Sequence, residues 1–498
     1  MNIARMLWDR AASTPDRIAL RDDATSTSFE ELAQRAAAIH SSLRSLGVRN
    51  HDRVGILLPN GADAAAAFYG ATAAAGIATV ISTLSRPRQV EQLLADLGAR
   101  VLVTTRPILS LLPRQIDTPV EIIFVEDLVN ATDVGPLTVD ESTPAQISYT
   151  SGSSGRPKGV VITHANLRTG IETVVEYLGL VREDRIASLL PFSFVYGFNQ
   201  LNCAIATGAT LEVIDTTMAP ELVRSLAVRQ CSVVAGVPPL WMQMLRVADF
   251  ATTLPALRVM TCAGGRLNPD AVRALRAAQP HARLFLMYGM TEVFRSTYLS
   301  PSQVDAHPDS MGRAVPGSRV WVVREDGTEC ADGEVGELLH AGPTVATGYW
   351  GDADATAAVF VPNPFDGGGG ASLARAVRSG DLVRRDADGL LYYVGRRDRM
   401  IKTLGYRVSP DEVTDVLHAS GLVTDVAVTT APDPQRGERI VAHLVLREGA
   451  TLDAMRQWCG LELPRHMQPA QWDLLDHLPR NPSGKHDLIA LATGQARS

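Results

Sequence analysis

Residues Tyr149-Thr-Ser-Gly-Ser-Ser-Gly-Arg-Pro-Lys-Gly-Val160 decide how the rest of the chain is read. The run follows a short apolar strand pattern, Gln146-Ile-Ser-Tyr149, and leads towards a helix expected to start near Thr163. Few Cβ atoms obstruct its backbone, so its N–H groups can turn inward as an anion nest. Its hydroxyls and the Lys158 ammonium add donors and positive charge suited to a phosphate chain. The Gly-x4-Gly-Lys-Ser/Thr spacing of a Walker A loop is absent. A plain flexible turn would explain the small residues, but not the Pro-Lys-Gly that closes them.

Outward from this loop the chain alternates. Ser28-Phe-Glu-Glu31 reads as a capping box opening a helix that Gly47 stops. Strand patterns at 53–58, 77–82, 101–105 and 122–125 are separated by helical patterns near 61–75 and 87–97. Beyond the loop, a helix at 163–179 precedes strand patterns at 186–191, 210–214, 232–235, 257–262 and 284–287. Such alternation predicts parallel sheets covered on both faces. From about 310 the texture turns to short strands with Gly turns, which suits a small barrel or antiparallel sheet. Residues 362–380, with Gly367-Gly-Gly-Gly370, are expected to form a mobile surface loop. The last hundred residues read as a separate α+β unit.

Composition narrows the function classes. Lys and Arg number 47 against 54 Asp and Glu, a net charge of −7. No general attraction to nucleic acid or an anionic membrane follows, so any anion site must be local. The cysteines Cys203, Cys231, Cys262, Cys330 and Cys459 are scattered and lack a CxxC pair, which points away from zinc or a disulfide framework and towards a reducing, cytoplasmic setting. The N-terminus lacks the basic and apolar regions of a signal peptide. The apolar run from Ala64 to Ile81 is mostly alanine, and is expected to be a packed helix followed by a strand rather than a membrane span.

Four further stretches stand out: Tyr288-Gly-Met-Thr-Glu292, Ser379-Gly-Asp-Leu382, Gly395-Arg-Arg-Asp-Arg-Met-Ile-Lys402 with Gly405-Tyr-Arg407, and Asn481-Pro-Ser-Gly-Lys485. Together with the loop, in this order and spacing, they resemble the adenylate-forming superfamily of acyl-CoA synthetases, peptide-synthetase adenylation domains and luciferases. The resemblance covers nearly the whole chain. It implies an α/β fold with a large N-terminal ATP- and acid-binding domain, residues 1–396, made of two stacked αβα parallel-sheet subdomains and a small β-barrel. A small mobile α+β lid, residues 397–498, would follow.

The chemistry the family performs needs these residue types. A carboxylate attacks the α-phosphorus of ATP, so two anions must approach each other, and positive charge and a metal are required. The resemblance implies that Thr150, Ser151, Gly152, Ser153, Ser154, Gly155 and Lys158 hold the outer phosphates. Tyr288, Gly289 and Thr291 would line the nucleotide, with Thr291 at the α-phosphate. Glu292 would ligate Mg²⁺. Gly264, Gly265 and Arg266 would lie along adenine, Asp381 would accept two hydrogen bonds from the ribose, and Arg396 would contact ribose or phosphate. Lys485 would bridge substrate carboxylate and α-phosphate. Asp398 would be the hinge, and Gly405, Tyr406 and Arg407 would line a thiol tunnel in a second half-reaction.

The family's acid pocket falls here on Phe194, Val195, Asn199, Ala263, Gly264, Met287 and Arg295. Amino-acid-activating relatives usually carry Asp where this chain has Val195. An α-ammonium buried without a carboxylate would be costly, so ordinary α-amino acids are disfavoured. Arg295 reads either as an outward salt bridge or fold-supporting ion pair, or as a partner for a second polar or anionic group on the substrate, with Asn199 a weaker candidate of the same sort. Trp241 and Met242 read as core or pocket lining, and His164 as structural.

The expected activity is ATP- and Mg²⁺-dependent formation of an acyl- or aryl-adenylate, followed by transfer to CoA or the phosphopantetheine of a separate acyl carrier protein. Two other readings stay open: the same machinery turned to another oxyanion such as nitrite or to an adenylate diverted without thiolation, and a non-catalytic nucleotide sensor. Neither nucleic acid nor membrane is an expected partner.

Overall fold

Short apolar strands, most of the parallel ones followed by a helix, build two mainly parallel sheets. The computed structural model describes residues 1–85, 87–111, 118–129, 131, 134–150, 157–216, 218–252, 254–366, 371–403, 406–433, 437–463, 465–481 and 484–494. The chain divides into two compact units. One comprises Met1–Val320 with His340–Val377, the other Trp321–Leu339 with Arg378–Ser498.

In the first unit a nine-stranded sheet runs, edge to edge, Arg313–Ala314, Thr297–Leu299, Arg283–Tyr288, Val259–Cys262, Val233–Gly236, Arg185–Ser188, Thr210–Val213, Ile18–Arg21 and Ser26–Ser28. The strands from Arg283–Tyr288 to Ile18–Arg21 are parallel, and antiparallel strands close both edges. A seven-stranded sheet runs Gly348–Tyr349, Lys158–Thr163, Pro144–Thr150, Ile77–Val80, Arg53–Ile56, Val101–Thr104 and Glu121–Phe124.

The second sheet departs from the expected alternation at the loop itself. A strand, Lys158–Thr163, stands between the loop and the helix His164–Leu178. It pairs antiparallel with Pro144–Thr150, with Thr150 opposite Lys158. The reason is length: a parallel return needs a crossover of a dozen residues or more, and only a hairpin fits between Thr150 and Lys158. The alanine run folds as expected, into helix Ala62–Ala73 and strand Ile77–Val80. Among the described residues no helix is long and apolar enough to cross a membrane.

The second unit closes on its own core of Val413, Leu417, Val426, Val428, Ile440, Ala442, Leu444 and Met455. The long antiparallel strands Val423–Asp433 and Gly437–Leu446 carry most of it, with Gln471–Leu474 parallel to the latter, and helices Pro410–Ala419 and Leu452–Glu462 contribute the remaining apolar side chains. The loop expected over 362–380 is shorter than its glycines suggest. Strand Arg375–Arg385 begins inside it, because Ala376, Val377, Ser379, Asp381 and Val383 find buried positions.

Candidate active site

The first unit gathers its site residues at the carboxyl ends of neighbouring parallel strands. Phe194, Val195 and Asn199 follow strand Arg185–Ser188, the segment Ala263-Gly-Gly-Arg266 follows Val259–Cys262, and Tyr288 to Arg295 follow Arg283–Tyr288. These strands and Val233–Gly236 are consecutive in the sheet. Open α/β sheets bind ligands at this end because the connections there diverge and leave a crevice. Sequence separations of about a hundred residues thus collapse into one rim.

Ser151, Gly152, Ser153, Ser154 and Gly155, expected to hold phosphates, lie outside the described residues, as does Gly405 and as do the side chains of Asp398, Tyr406 and Arg407. The loop's two ends are described. Thr150 Oγ1 donates to the Lys158 carbonyl over 3.5 Å, so both ends are fixed by the hairpin.

Lys158 does not act alone. Its ammonium stands 5.0 Å from the centre of the Tyr349 ring, within cation–π range. The Tyr349 hydroxyl donates to Glu292 Oε1 at 2.7 Å. Register brings Tyr349 there, since strand Gly348–Tyr349 pairs with Lys158–Thr163 and sets Tyr349 opposite Val160. The Ala346 N–H also donates to the Glu292 carbonyl at 2.8 Å. Sequence reasoning passes over Tyr349. Its only signal there is an aromatic pair, Tyr349-Trp350, behind a glycine.

Glu292 lies on a single turn, Thr291–Val293, and is 9% exposed. Among the described residues its side chain takes one hydrogen bond, from a neutral hydroxyl, and no ion pair, which suits a divalent cation. Among the described residues no group of three His, Cys, Asp or Glu could cage a metal. One carboxylate with open positions is how Mg²⁺ is usually held, the remaining sites going to water and phosphate oxygens.

The turn that follows is tightly wound. Phe294 has φ 58° and ψ −61°, and the Arg295 N–H donates to the Val293 carbonyl at 2.6 Å. This is a γ-turn of the rare hand, a strained conformation for a residue with a side chain. Gly170 makes room for the Phe294 ring: a Cβ there would sit 2.5 Å from Phe294 Cδ1. The turn delivers Arg295 to the interior, where it is 4% exposed and its guanidinium lies 4.7 Å from the Tyr196 ring centre. Arg295 is therefore not the outward ion pair that its sequence position also allowed.

Other pocket positions are plainer. Phe194 is half-buried ahead of helix Val195–Thr207 and meets Tyr196 edge-on at 6.3 Å. Val195, Ala263 and Met287 are buried and apolar. Gly264 is left-handed at φ 81°, while Gly265 and Arg266 are exposed. Trp241 is core, donating to the Thr261 carbonyl at 3.1 Å. His164 is structural: its Nδ1 accepts from the Ile3 N–H at 3.1 Å, and burial pushes its pKa down to about 4, with the N-terminal ammonium acting the same way.

In the second unit Asp381 and Arg396 are cross-strand partners, with Arg396 Nη1 3.3 Å from Asp381 Oδ1. Gly380 just before is left-handed at φ 71°, and a Cβ there would stand 3.0 Å from the Arg396 guanidinium. Lys485 sits on a turn whose base is clamped: Arg480 and His486 form an isolated bridge and both reach Asp425, at 2.7 and 2.9 Å. Burial alone would raise the Asp425 pKa, but His486 and Arg480 hold it below the ordinary value. The Lys485 residue as a whole is exposed, while its ammonium is set among protein groups. Burial of that end lowers its pKa, Arg399 and Arg396 add to the effect, and Asp381 opposes it. The second unit thus brings Asp381, Arg396 and Lys485 within electrostatic reach of one another.

Glu337 is a second residue that the sequence does not announce. It is 4% exposed and accepts from Arg378 at 2.6 Å, Arg397 at 3.0 Å and the Gly380 N–H at 3.0 Å. It thereby anchors residues beside Asp381 and Asp398.

An AMP-binding enzyme family model matches residues 7–350, and an AMP-binding enzyme C-terminal domain model matches residues 412–485. The chain is 29% identical to the L-proline–[L-prolyl-carrier protein] ligase of Pseudomonas fluorescens, covering 97% of either chain. It is 30% identical to the phenyloxazoline synthase MbtB of a Mycobacterium species, over 98% of this chain but only 41% of that one. Among solved structures, the o-succinylbenzoate CoA synthetase MenE of Bacillus subtilis, in complex with the acyl-adenylate intermediate OSB-AMP, is 25% identical with a TM-score of 0.85, covering 98% of this chain and 97% of that one. The same synthetase has been solved with ATP and a magnesium ion, at 25% identity and TM-score 0.85 over 99% of each chain. The chain belongs to the AMP-binding enzyme family, within the adenylate-forming superfamily. It is an AMP-forming acid–thiol ligase.

Proposed function

We propose that this ligase activates a carboxylic acid lacking an α-ammonium and passes the acyl group to the thiol of CoA or of a carrier protein's phosphopantetheine. The observation that carries the reading is the linked set Lys158, Tyr349 and Glu292 on the first unit: a cation, a hydroxyl and a buried carboxylate with open valences. In the first half-reaction a substrate carboxylate oxygen bonds to the α-phosphorus of ATP, and pyrophosphate leaves with the electrons of the broken P–O bond. Lys158 and the adjoining loop hold the departing phosphates. Glu292, oriented by Tyr349, would hold Mg²⁺, which supplies charge neutralisation when bound.

Thr291 touches the α-phosphate, Tyr288 and Gly289 line the nucleotide, and Gly264 to Arg266 lie along adenine. Asp381 receives the ribose hydroxyls, and Arg396 steadies ribose or phosphate. Lys485 spans carboxylate and α-phosphate and stabilises the charge gathering there. In the second half-reaction the thiol attacks the acyl carbon and AMP leaves. Residues 397–498 act as the lid, turn at Asp398, and bring Gly405 to Arg407 to the thiol.

Exclusion of α-amino acids rests on charge. Val195 is buried and offers no carboxylate, and the nearby guanidinium of Arg295 would repel an α-ammonium. The relatives' names span both thiols, a carrier protein and CoA. The test is ATP–pyrophosphate exchange over a panel of carboxylic acids, then product analysis with CoA and with a phosphopantetheinylated carrier. Exchange with α-amino acids alone would refute the substrate reading. AMP release without thioester, with either acceptor, would refute the second half.

A further inference from the structure

Arg295 presents a charge the protein leaves unanswered. The side chain is 4% exposed, and its polar partners are neutral: Nη1 donates to the Phe294 carbonyl at 3.0 Å and the guanidinium also bears on the Tyr177 hydroxyl. Its Nε and Nη2 have no hydrogen-bond partner among the described residues. A guanidinium is a permanent cation in proteins. A buried, unpaired charge is strongly destabilising, and proteins retain one where something else pairs with it.

The surroundings supply no counter-ion among the described residues. Tyr196, Asn199 and Cys203 are spaced three and four apart on helix Val195–Thr207 and so share one face. Arg295 lies over Tyr196, and its charge acts on Cys203 and on Tyr177 of the preceding helix. All of these are neutral: burial pushes the Cys203 thiol up to about 12 and raises both tyrosines, with Arg295 opposing each shift. Asn199 repeats the pattern in uncharged form. It is 1% exposed, and neither its amide nitrogen nor its amide oxygen has a hydrogen-bond partner among the described residues. Its near neighbour is the Cys203 thiol one turn on, a poor substitute. The strained Phe294 turn holds Arg295 in place.

We infer that Arg295 and Asn199 form the subsite for a second anionic group on the acid substrate, so that this ligase takes acids bearing a distal carboxylate. The guanidinium meets the distal carboxylate through Nε and Nη2, and the Asn199 amide donates beside it. This rests on the adenylation reading above and adds the substrate class to it.

The experiment compares matched acids in ATP–pyrophosphate exchange: valerate with glutarate, hexanoate with adipate, benzoate with phthalate. Wild-type protein is expected to favour the dicarboxylate of at least one pair by about a hundredfold in kcat/KM, because a site built for a charged group rejects the analogue that leaves it unpaired. Arg295→Met should erase or invert that preference, mostly through KM. Asn199→Leu should reduce it about tenfold and serves as the second variant if Arg295→Met melts early. Exchange with monocarboxylates alone, or a preference unchanged in both variants, overturns this inference and leaves the adenylation reading standing. No exchange with any acid overturns the adenylation reading, and this inference falls with it.

Discussion

The Tyr349 hydroxyl donates to Glu292 Oε1 at 2.7 Å, joining strand Gly348–Tyr349 of one sheet to the turn that follows strand Arg283–Tyr288 of the other. One hydroxyl thus couples the hairpin that carries Lys158, whose ammonium lies over the same ring, to the carboxylate proposed to hold Mg²⁺.

Tyr349→Phe keeps the ring beneath Lys158 and removes only the donor. A hydrogen bond to a charged group contributes about 1.5–3 kcal/mol, so pyrophosphate exchange should fall between about tenfold and a hundredfold. The Mg²⁺ concentration giving half-maximal rate should rise as well, since Glu292 loses its orientation. A Mg²⁺ titration that superimposes on wild type would separate Tyr349 from the metal.

Lys485→Ala should lower exchange by about 10²–10³-fold, the usual cost of removing one charge-stabilising donor. Its melting temperature should stay near wild type, because Arg480, His486 and Asp425 clamp the turn and the lost ammonium faces two arginines. Exchange near the wild-type rate would refute the assignment. The lowered pKa of Lys485 adds a pH signature. The active ammonium is lost as pH rises through that lowered value, so the alkaline limb of the rate profile should begin below the ordinary lysine range. Lys485→Arg should move the limb upward, whatever it does to the rate.

His164 and His340 are held neutral by burial, at about 4 and about 3 respectively. The unfolded chain protonates them near the ordinary value of about 6.5. Between those limits the unfolded state binds more protons, so stability falls as pH falls from about 6.5. Each histidine contributes up to about 1.4 kcal/mol per pH unit, levelling off near its folded value. Urea midpoints measured between about pH 7 and 5 should therefore drop, and less steeply in His340→Gln. Equal slopes would show that His340 is protonated in the folded protein.

Glu337→Ala strands Arg378 and Arg397 and leaves the Gly380 N–H without its acceptor. Both arginines are partly exposed and can rehydrate, so the cost is that of the lost hydrogen bonds to a charged group, about 1–3 kcal/mol. The loss should appear in the second unit, as faster hydrogen exchange of the strand Arg375–Arg385. Uniform protection in wild type and variant would reduce Glu337 to a surface pairing.

Much of this was legible before any coordinates. The strand–helix alternation survives at nearly every expected position, because apolar periodicity reports which face is buried whatever the partner. Glu292, Asp381 and Lys485 stand out in the sequence because each sits in a short run of unusual composition. The antiparallel strand after the phosphate loop was not legible, since Gly159 to Thr163 looks alike as the approach to a helix or as an edge strand. Only pairing with Pro144–Thr150 distinguishes them.

The family, the fold class and the identity of the charged groups follow from local pattern and residue type, which the sequence carries without its partners. Tertiary structure decided their partners. Tyr349 meets Glu292 across 57 positions, Glu337 takes two arginines from a distant strand and turn, and Arg295 turns inward and finds no counter-ion among the described residues. Burial and pairing depend on which segments the sheets bring together, and no one-dimensional pattern records that.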